Sequence, residues 1–389
     1  MQFRKLSKPA LAAMLAAFLA VLLGGCAASG EVSISPLPSG ERGSELGAGV
    51  RPLSHGPGYK GSPAWSLDGE RISFTIDGYV VDKPLRGRDT RRWTARDFGA
   101  REIEANTGRS MLILGEDDES GGSGSLYRSL PSEDSTEVSE VAPGILTAEQ
   151  VGEGGAIIAA LESGEDESSL LLVRGDEVER TFGDAVEGSV AGISLSPNGR
   201  RLAISVAPPG EDAASEIRIF ELSDGSESEL VSLEEGRQVF GAPQWTEAGI
   251  YFVSGTEDGS GGSSSLYRLY RVPNGSGEPE SAPGIGSDFA ASGIKLSPDG
   301  SKLAIIGRLH ANSPTNLHIL DLAADTLSAA TSSEDMDIRN NPRDMSWSPD
   351  GESVAIVARS SFSSPRVRSA PADGLLEEFY NLYEVPVGE

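Results

Sequence analysis

Three features of the chain predict an all-β fold built as a β-propeller of seven blades, each blade a four-stranded antiparallel sheet. A Ser-Pro-Asp-Gly turn flanked by short apolar strands recurs at close to 50-residue intervals in the second half of the 389 residues. Three of the four tryptophans hold the same position relative to that turn. A further apolar strand follows each turn by roughly 20 residues, which gives every unit room for four strands, the pattern of a propeller blade.

The first 25 residues read as an address. Arg4, Lys5 and Lys8 precede an apolar run from Ala10 to Leu23, about 14 residues and too short to span a bilayer. Leu23-Gly24-Gly25-Cys26 follows and resembles the lipobox of bacterial lipoproteins. The resemblance implies cleavage after Gly25 and lipid on Cys26, the only cysteine, so no intrachain disulfide is expected. An ordinary secretory signal with an incidental cysteine is the alternative. Residue 27 is alanine, so the aspartate that retains some lipoproteins at an inner membrane is absent. Residues 26–49, rich in Ser, Gly, Pro and Glu, read as a flexible tether that would hold the folded body on the order of 25 Å from the lipid.

From residue 50 onward the repeats set the organisation. In Ser348-Pro349-Asp350-Gly351 proline presets φ at the second turn position, aspartate suits the third, and glycine supplies the left-handed residue that closes the hairpin. The flanks, such as Ile294 and Leu296 before a turn and Leu303-Ala304-Ile305 after it, read as half-buried strands. Anchors at the ends of the strands before each turn fall at Trp65, Leu195, Trp245, Leu296 and Trp347, with two faint copies near Glu104 and Gln150. The steps are 39, 46, 45, 50, 51 and 51 residues. The faint copies leave six or eight blades open. Ring closure is expected to pair residues near 50–64 with the stretch from Phe379 to Val385, which removes exposed edge strands.

The Trp-Ser-Pro-Asp-Gly hairpin and its short apolar strand resemble the repeat of TolB-type, WD40-like (PD40) propellers, also found beside the hydrolase domain of prolyl oligopeptidase relatives. The resemblance covers residue 50 to the C-terminus and implies a fold without assigning a catalytic residue. TolB carries an α/β domain ahead of its propeller where this chain has a tether, so TolB's partner contacts are not implied.

The net charge of −27, or −30 without Arg4, Lys5 and Lys8, repels phosphate backbones and anionic lipid heads, which argues against nucleic-acid binding. No Gly-x-Ser-x-Gly elbow occurs, and repeats running to residue 369 or beyond leave no room for a hydrolase domain. The three histidines, His55, His310 and His318, show no metal-ligand spacing, and His318 lies within an apolar strand. The acidic loops Glu116–Glu119 and Glu257-Asp258 lack a calcium-loop pattern and read as solvated tips. No catalytic residue, metal or cofactor is expected.

One basic patch stands out, around Arg88, Arg91, Arg92 and Trp93. It reads first as a long inter-strand loop, and alternatively as a docking loop in which arginines flank an exposed aromatic. The sequence therefore points to a lipid-anchored extracytoplasmic propeller that binds an envelope protein or polymer as scaffold or sensor. The alternative is a lactonase- or lyase-like propeller enzyme with its site at the channel mouth. Charged side chains converging on the channel from several blades would favour the enzyme. The Ile and Leu of the strands before the turns, with only Ser194 and Lys295 between them, lean toward the scaffold.

Overall fold

A computed structural model describes residues 49–388, apart from 88–89, 96–97, 107–109, 117–123, 132–135, 152–155, 165, 175–176, 211–212, 235, 257–266, 274–276, 311–312, 332–335 and 361–378. The signal segment, Gly25, Cys26, the tether to residue 48, Arg88 and the tips of both acidic loops lie outside the described residues. Among the described residues no helix is long and apolar enough to cross a membrane.

The described strands make seven antiparallel blades. Blade 1 runs Lys60–Trp65, Arg71–Ile76, Tyr79–Pro84 and Arg91–Arg92. Blades 2 and 3 form one seven-stranded sheet, because the 16-residue strand Thr136–Val151 ends blade 2 and begins blade 3. Blades 4, 5 and 6 begin with the strands Ser189–Leu195, Arg237–Thr246 and Ala290–Leu296. Blade 7 begins with a divided strand, Met336–Ile338 and Met345–Trp347, both paired with Ser353–Ser360.

The ring closes as the repeats predict. Asn381–Pro386 pairs with Ser353–Ser360 on one side and with Arg51–Pro52 on the other, so the first described strand completes the last blade. The innermost strands follow one another around the axis, and that of blade 7 lies beside that of blade 1. Lys60 seals the seam: fully buried, it donates from Nζ to the carbonyls of Gly56 (2.7 Å) and Tyr380 (3.5 Å). Burial pushes its pKa down to about 8, partly opposed by Asp77.

The core lies between blades. One apolar cluster joins Ile250 and Phe252 of blade 5 to Ile217 and Ile219 of blade 4, and another joins Ile306 and Leu317 of blade 6 to Val354 and Ile356 of blade 7. This explains the shared tryptophan position. Trp347 Nε1 donates to the Lys295 carbonyl at 2.9 Å, and Trp65 Nε1 to the Ser346 carbonyl at 3.1 Å, each reaching the residue before the anchor in the preceding blade. The Trp245 amide bonds Ser194 Oγ (2.9 Å) and the Leu296 amide bonds Gln244 Oε1 (2.8 Å) in the same register. Each such bond contributes about 1 kcal/mol.

The turns hold a device that propensities do not reveal. Ser348 Oγ donates to Asp350 Oδ1 (2.5 Å) while accepting from the Ser353 amide (2.9 Å), and Asp350 accepts from the Glu352 amide (3.0 Å). The same bonds recur at Ser66, Ser196 and Ser297. The serine hydroxyl, aided by backbone amides, holds the carboxyls of Asp68, Asp299 and Asp350 below their usual range. Gly351 sits at φ 71°, the left-handed conformation assigned to it.

Candidate functional site at the channel mouth

All innermost strands end at the turn face, so their starts define the opposite face. There, between blades 1, 2 and 7, lies a cavity of about 310 Å³ lined by Tyr59, Ser62, Arg101, Arg339, Asn341 and Arg343 among others. Blade 7 supplies Arg339, Asn341, Arg343 and Asp344 because its innermost strand is interrupted. Asn341 caps a single 3₁₀ turn, Pro342–Asp344, accepting from the Arg343 amide. Register shifts mark the other innermost strands as well, and blade 7 carries the largest departure.

This insertion reaches across the channel. A Cβ on Gly293 of blade 6 would lie 2.7 Å from Pro342 Cα, so only glycine lets the two chains pass. Pro342 also approaches Gly241 of blade 5. In the other direction Asp344 Oδ1 accepts from the Ser62 amide of blade 1 (3.3 Å), and Arg343 Nε pairs with Glu102 Oε2 of blade 2 at 2.9 Å. Blades 5 and 2 are not neighbours of blade 7, and a segment that meets both lies at the axis.

Arg339 is held rigidly. Its Nε and Nη2 grip Asp344 in a fork, with Nη2 to Oδ1 at 2.7 Å, and Nη2 also donates to the Lys60 carbonyl. Its guanidinium lies over Tyr59 at 4.3 Å and Tyr380 at 5.3 Å. The side chains are 11% and 1% exposed for Arg339 and Asp344, and Arg339 Nη1 is buried with no hydrogen-bond partner.

The channel itself carries charge. Burial raises the pKa of Glu102, an effect opposed by Arg343 and Lys295. Burial together with the repulsion of Glu102 raises Glu104 well above the usual carboxylate range, and burial raises Glu149, opposed by Lys295. Glu102 and Glu104 belong to blade 2, Glu149 to blade 3, Lys295 to blade 6 and Arg343 to blade 7. Mutual influence among such separate blades requires them to face one another across the axis. Glu104 Oε1 is buried without a partner. Among the described residues no group of three His, Cys, Asp or Glu is arranged to hold a metal.

Several expectations change. The channel is charged, against the apolar lining inferred from Ile193 and Ile294. Those side chains turn instead into the cores between blades, and Lys295 is the exposed one. In the basic patch Arg91 and Arg92 are exposed on the outer strand of blade 1, but Trp93 is 2% exposed and packs with Val80 and Met111. The exposed aromatic of a docking loop is thus absent at Trp93, because a tryptophan next to the outer strand fills the gap between blades 1 and 2. His318 is buried edge-on to Phe289 (5.0 Å), His310 is exposed after a strand, and His55 lies by the closure seam. Sequence reasoning missed Glu102, Glu149, Arg339, Arg343 and Asp344, although Asn341-Pro342, a turn signal placed before the Trp347 anchor, marked the insertion.

Comparison with known proteins agrees with the fold. No protein-family model and no curated protein matches the chain. Among solved structures it is similar to a puromycin-hydrolyzing peptidase from Mycobacterium tuberculosis (TM-score 0.55, 16% identity, 77% of this chain and 49% of the peptidase). It is also similar to an oligogalacturonate lyase in complex with manganese (0.56, 13%, 89% and 95%) and to the β-propeller domain of Cps50 (Swd1) from Myceliophteria thermophila (0.54, 13%, 87% and 100%). The chain spans about half the length of the peptidases it matches. At these identities the likeness is one of fold: the chain is a β-propeller.

Proposed function

We propose that this chain is a lipid-anchored extracytoplasmic propeller, tethered through Cys26, that binds an envelope protein or polymer at the face carrying the cavity and works as a scaffold or sensor. The observation that carries the reading is the cavity built by an insertion at the axis, where three arginines gather on a chain of net charge −27. A cationic recess in an acidic surface focuses anionic groups. Capture from solubilised envelope extract tests it. Arg101→Glu in the cavity abolishes capture, whereas Leu67→Glu on the turn face, where Leu67 is exposed, leaves it intact. Equal capture by wild type and Arg101→Glu sinks the reading.

A second reading, a lactonase- or lyase-like enzyme, draws on Glu104. A carboxyl whose pKa is raised by burial beside a second carboxylate suits a general acid, and Lys295 stands across the channel from it. Turnover of lactones or polyuronates by the wild type, lost in Glu104→Gln with the fold retained, would establish it. No turnover by the wild type leaves the binding reading.

A further inference from the structure

Resting on the binding reading, we propose that the partner is a protein and that it lays an arginine side chain on the exposed ring of Tyr59, which lines the cavity. Three observations lead there. The first is a row of stacked side chains beside the closure seam. Arg359 lies over Tyr380 at 4.8 Å, and Arg339 lies over Tyr380 at 5.3 Å and over Tyr59 at 4.3 Å, so the order is Arg359, Tyr380, Arg339, Tyr59. Guanidinium and phenol alternate, as the attraction of a cation to a ring face favours. Each arginine has its own aspartate, Asp337 for Arg359 and Asp344 for Arg339. The row ends on a tyrosine, and the next member of the alternation is an arginine.

The second observation is the state of Tyr59. It is 65% exposed with Arg339 already over its ring, the most exposed large apolar side chain among the described residues. It also stands on a fixed base. Its amide donates to Asp77 Oδ1 (2.7 Å), its carbonyl accepts from the Asp77 amide (2.9 Å), and the arginine behind it is held by the fork to Asp344. An exposed aromatic on such a base makes a good anchor, because little freedom is lost when a partner covers it.

The third observation is charge. Asp77 is exposed at the tip of the hairpin between Arg71–Ile76 and Tyr79–Pro84, and it bonds the residue that carries the ring. It would serve an incoming arginine as Asp337 and Asp344 serve Arg359 and Arg339. The net charge of −27 draws a cation in at long range. Arginine fits better than lysine, since its guanidinium is planar and stacks on a ring while its edge still bonds a carboxylate. The binding reading places anionic groups in the recess. An arginine beside them is a combination that a protein offers and an anionic polymer does not.

Saturation-transfer NMR titration of the chain with the peptide acetyl-Gly-Arg-Gly-amide, and with the same peptide carrying citrulline in place of arginine, tests the assignment. The arginine peptide binds, and its uncharged citrulline counterpart binds at least about threefold more weakly. Tyr59→Leu and Asp77→Asn each weaken the arginine peptide by about threefold, while Tyr59→Phe and, on the turn face, Leu67→Ala retain it. Asparagine tolerates the left-handed conformation of Asp77 (φ 46°) and keeps an oxygen for the Tyr59 amide, so Asp77→Asn removes the charge alone. Arginine and citrulline binding alike, an arginine peptide that does not bind, or unchanged binding by Tyr59→Leu overturns the proposal. So does binding that appears only when Arg366 and Arg368 are both replaced by serine, since the chain's own arginines would then fill the place. If the arginine peptide fails while envelope capture still depends on Arg101, only the partner's arginine falls. If capture is also independent of Arg101, the binding reading falls with it.

Discussion

Replacing Asp344 with asparagine keeps the shape of the side chain and removes its charge, which leaves Arg339 enclosed at 11% exposure with no counterion. Breaking one side of a buried pair in this way costs about 3–5 kcal/mol, because the remaining charge has lost its water and gained nothing. A propeller of about 340 residues unfolds with an entropy near 0.7 kcal/mol/K, so that loss lowers the melting temperature by about 4–7 °C. Tryptophan fluorescence reads the transition where it matters, since Trp65 bonds the Ser346 carbonyl two residues beyond the substitution. The double substitution Arg339→Met with Asp344→Leu removes both charges and restores more than half of the lost stability, because apolar replacement of a whole pair is close to neutral. A single variant melting within about 1 °C of wild type would refute the buried-pair argument.

Other outcomes follow from the same geometry. Trp347→Phe keeps the ring packing but orphans the Lys295 carbonyl, and urea denaturation should show a loss of about 1–2 kcal/mol with an unchanged m-value. Gly293→Ala puts a methyl into the backbone of Pro342, so both stability and ligand binding at the cavity fall, while Gly300→Ala on the turn face lowers stability alone. Glu104, Glu149 and Glu102 have folded pKa values above the unfolded one, so their contribution is full below about pH 4.5 and is lost as pH rises through the folded values. Asp68, Asp299 and Asp350 are held low, so theirs is full above about pH 3.8 and is lost in stronger acid. Glu104→Gln should therefore raise the melting temperature at pH 7.5 and leave it nearly unchanged at pH 4; an equal drop at both values would contradict the assignment.

What the sequence revealed and what it hid divide along a physical line. The turn at Ser348-Pro349-Asp350-Gly351 was legible because its residues answer to local backbone geometry, and the tryptophan column because each indole answers to a neighbour at a fixed offset. Closure through Arg51–Pro52 and Asn381–Pro386 followed from the need to remove edges. The insertion at Pro342–Asp344 was hidden because its partners lie in blades 1, 2, 5 and 6, far away along the chain, and no periodicity links Arg343 to Glu102. The fusion of blades 2 and 3 was hidden for the opposite reason, since one long strand leaves no turn to mark where a blade ends.

The two faintest repeats are also the ones that supply the channel carboxylates, and one cause accounts for both facts. Where a copy is clear, its anchor is a tryptophan or leucine packed against the preceding blade. In blade 2 the expected anchor, Glu104, sits instead inside a register shift between Ile103 and Ala105, and the strand runs on to Asn106. Asn106 takes over the backward link, donating from its amide to Ser73 Oγ of blade 1 at 3.0 Å. The bulge thus releases Glu104 from the packing role, and Glu149 stands likewise one residue before the expected anchor of blade 3. A carboxylate whose pKa burial raises is a standing cost to the fold, which packing alone would select against. Blades that depart from their repeat in order to place such groups at the axis, opposite Lys295 and beside Arg343, are the part of this propeller that packing does not explain, and it is there that its function is to be sought.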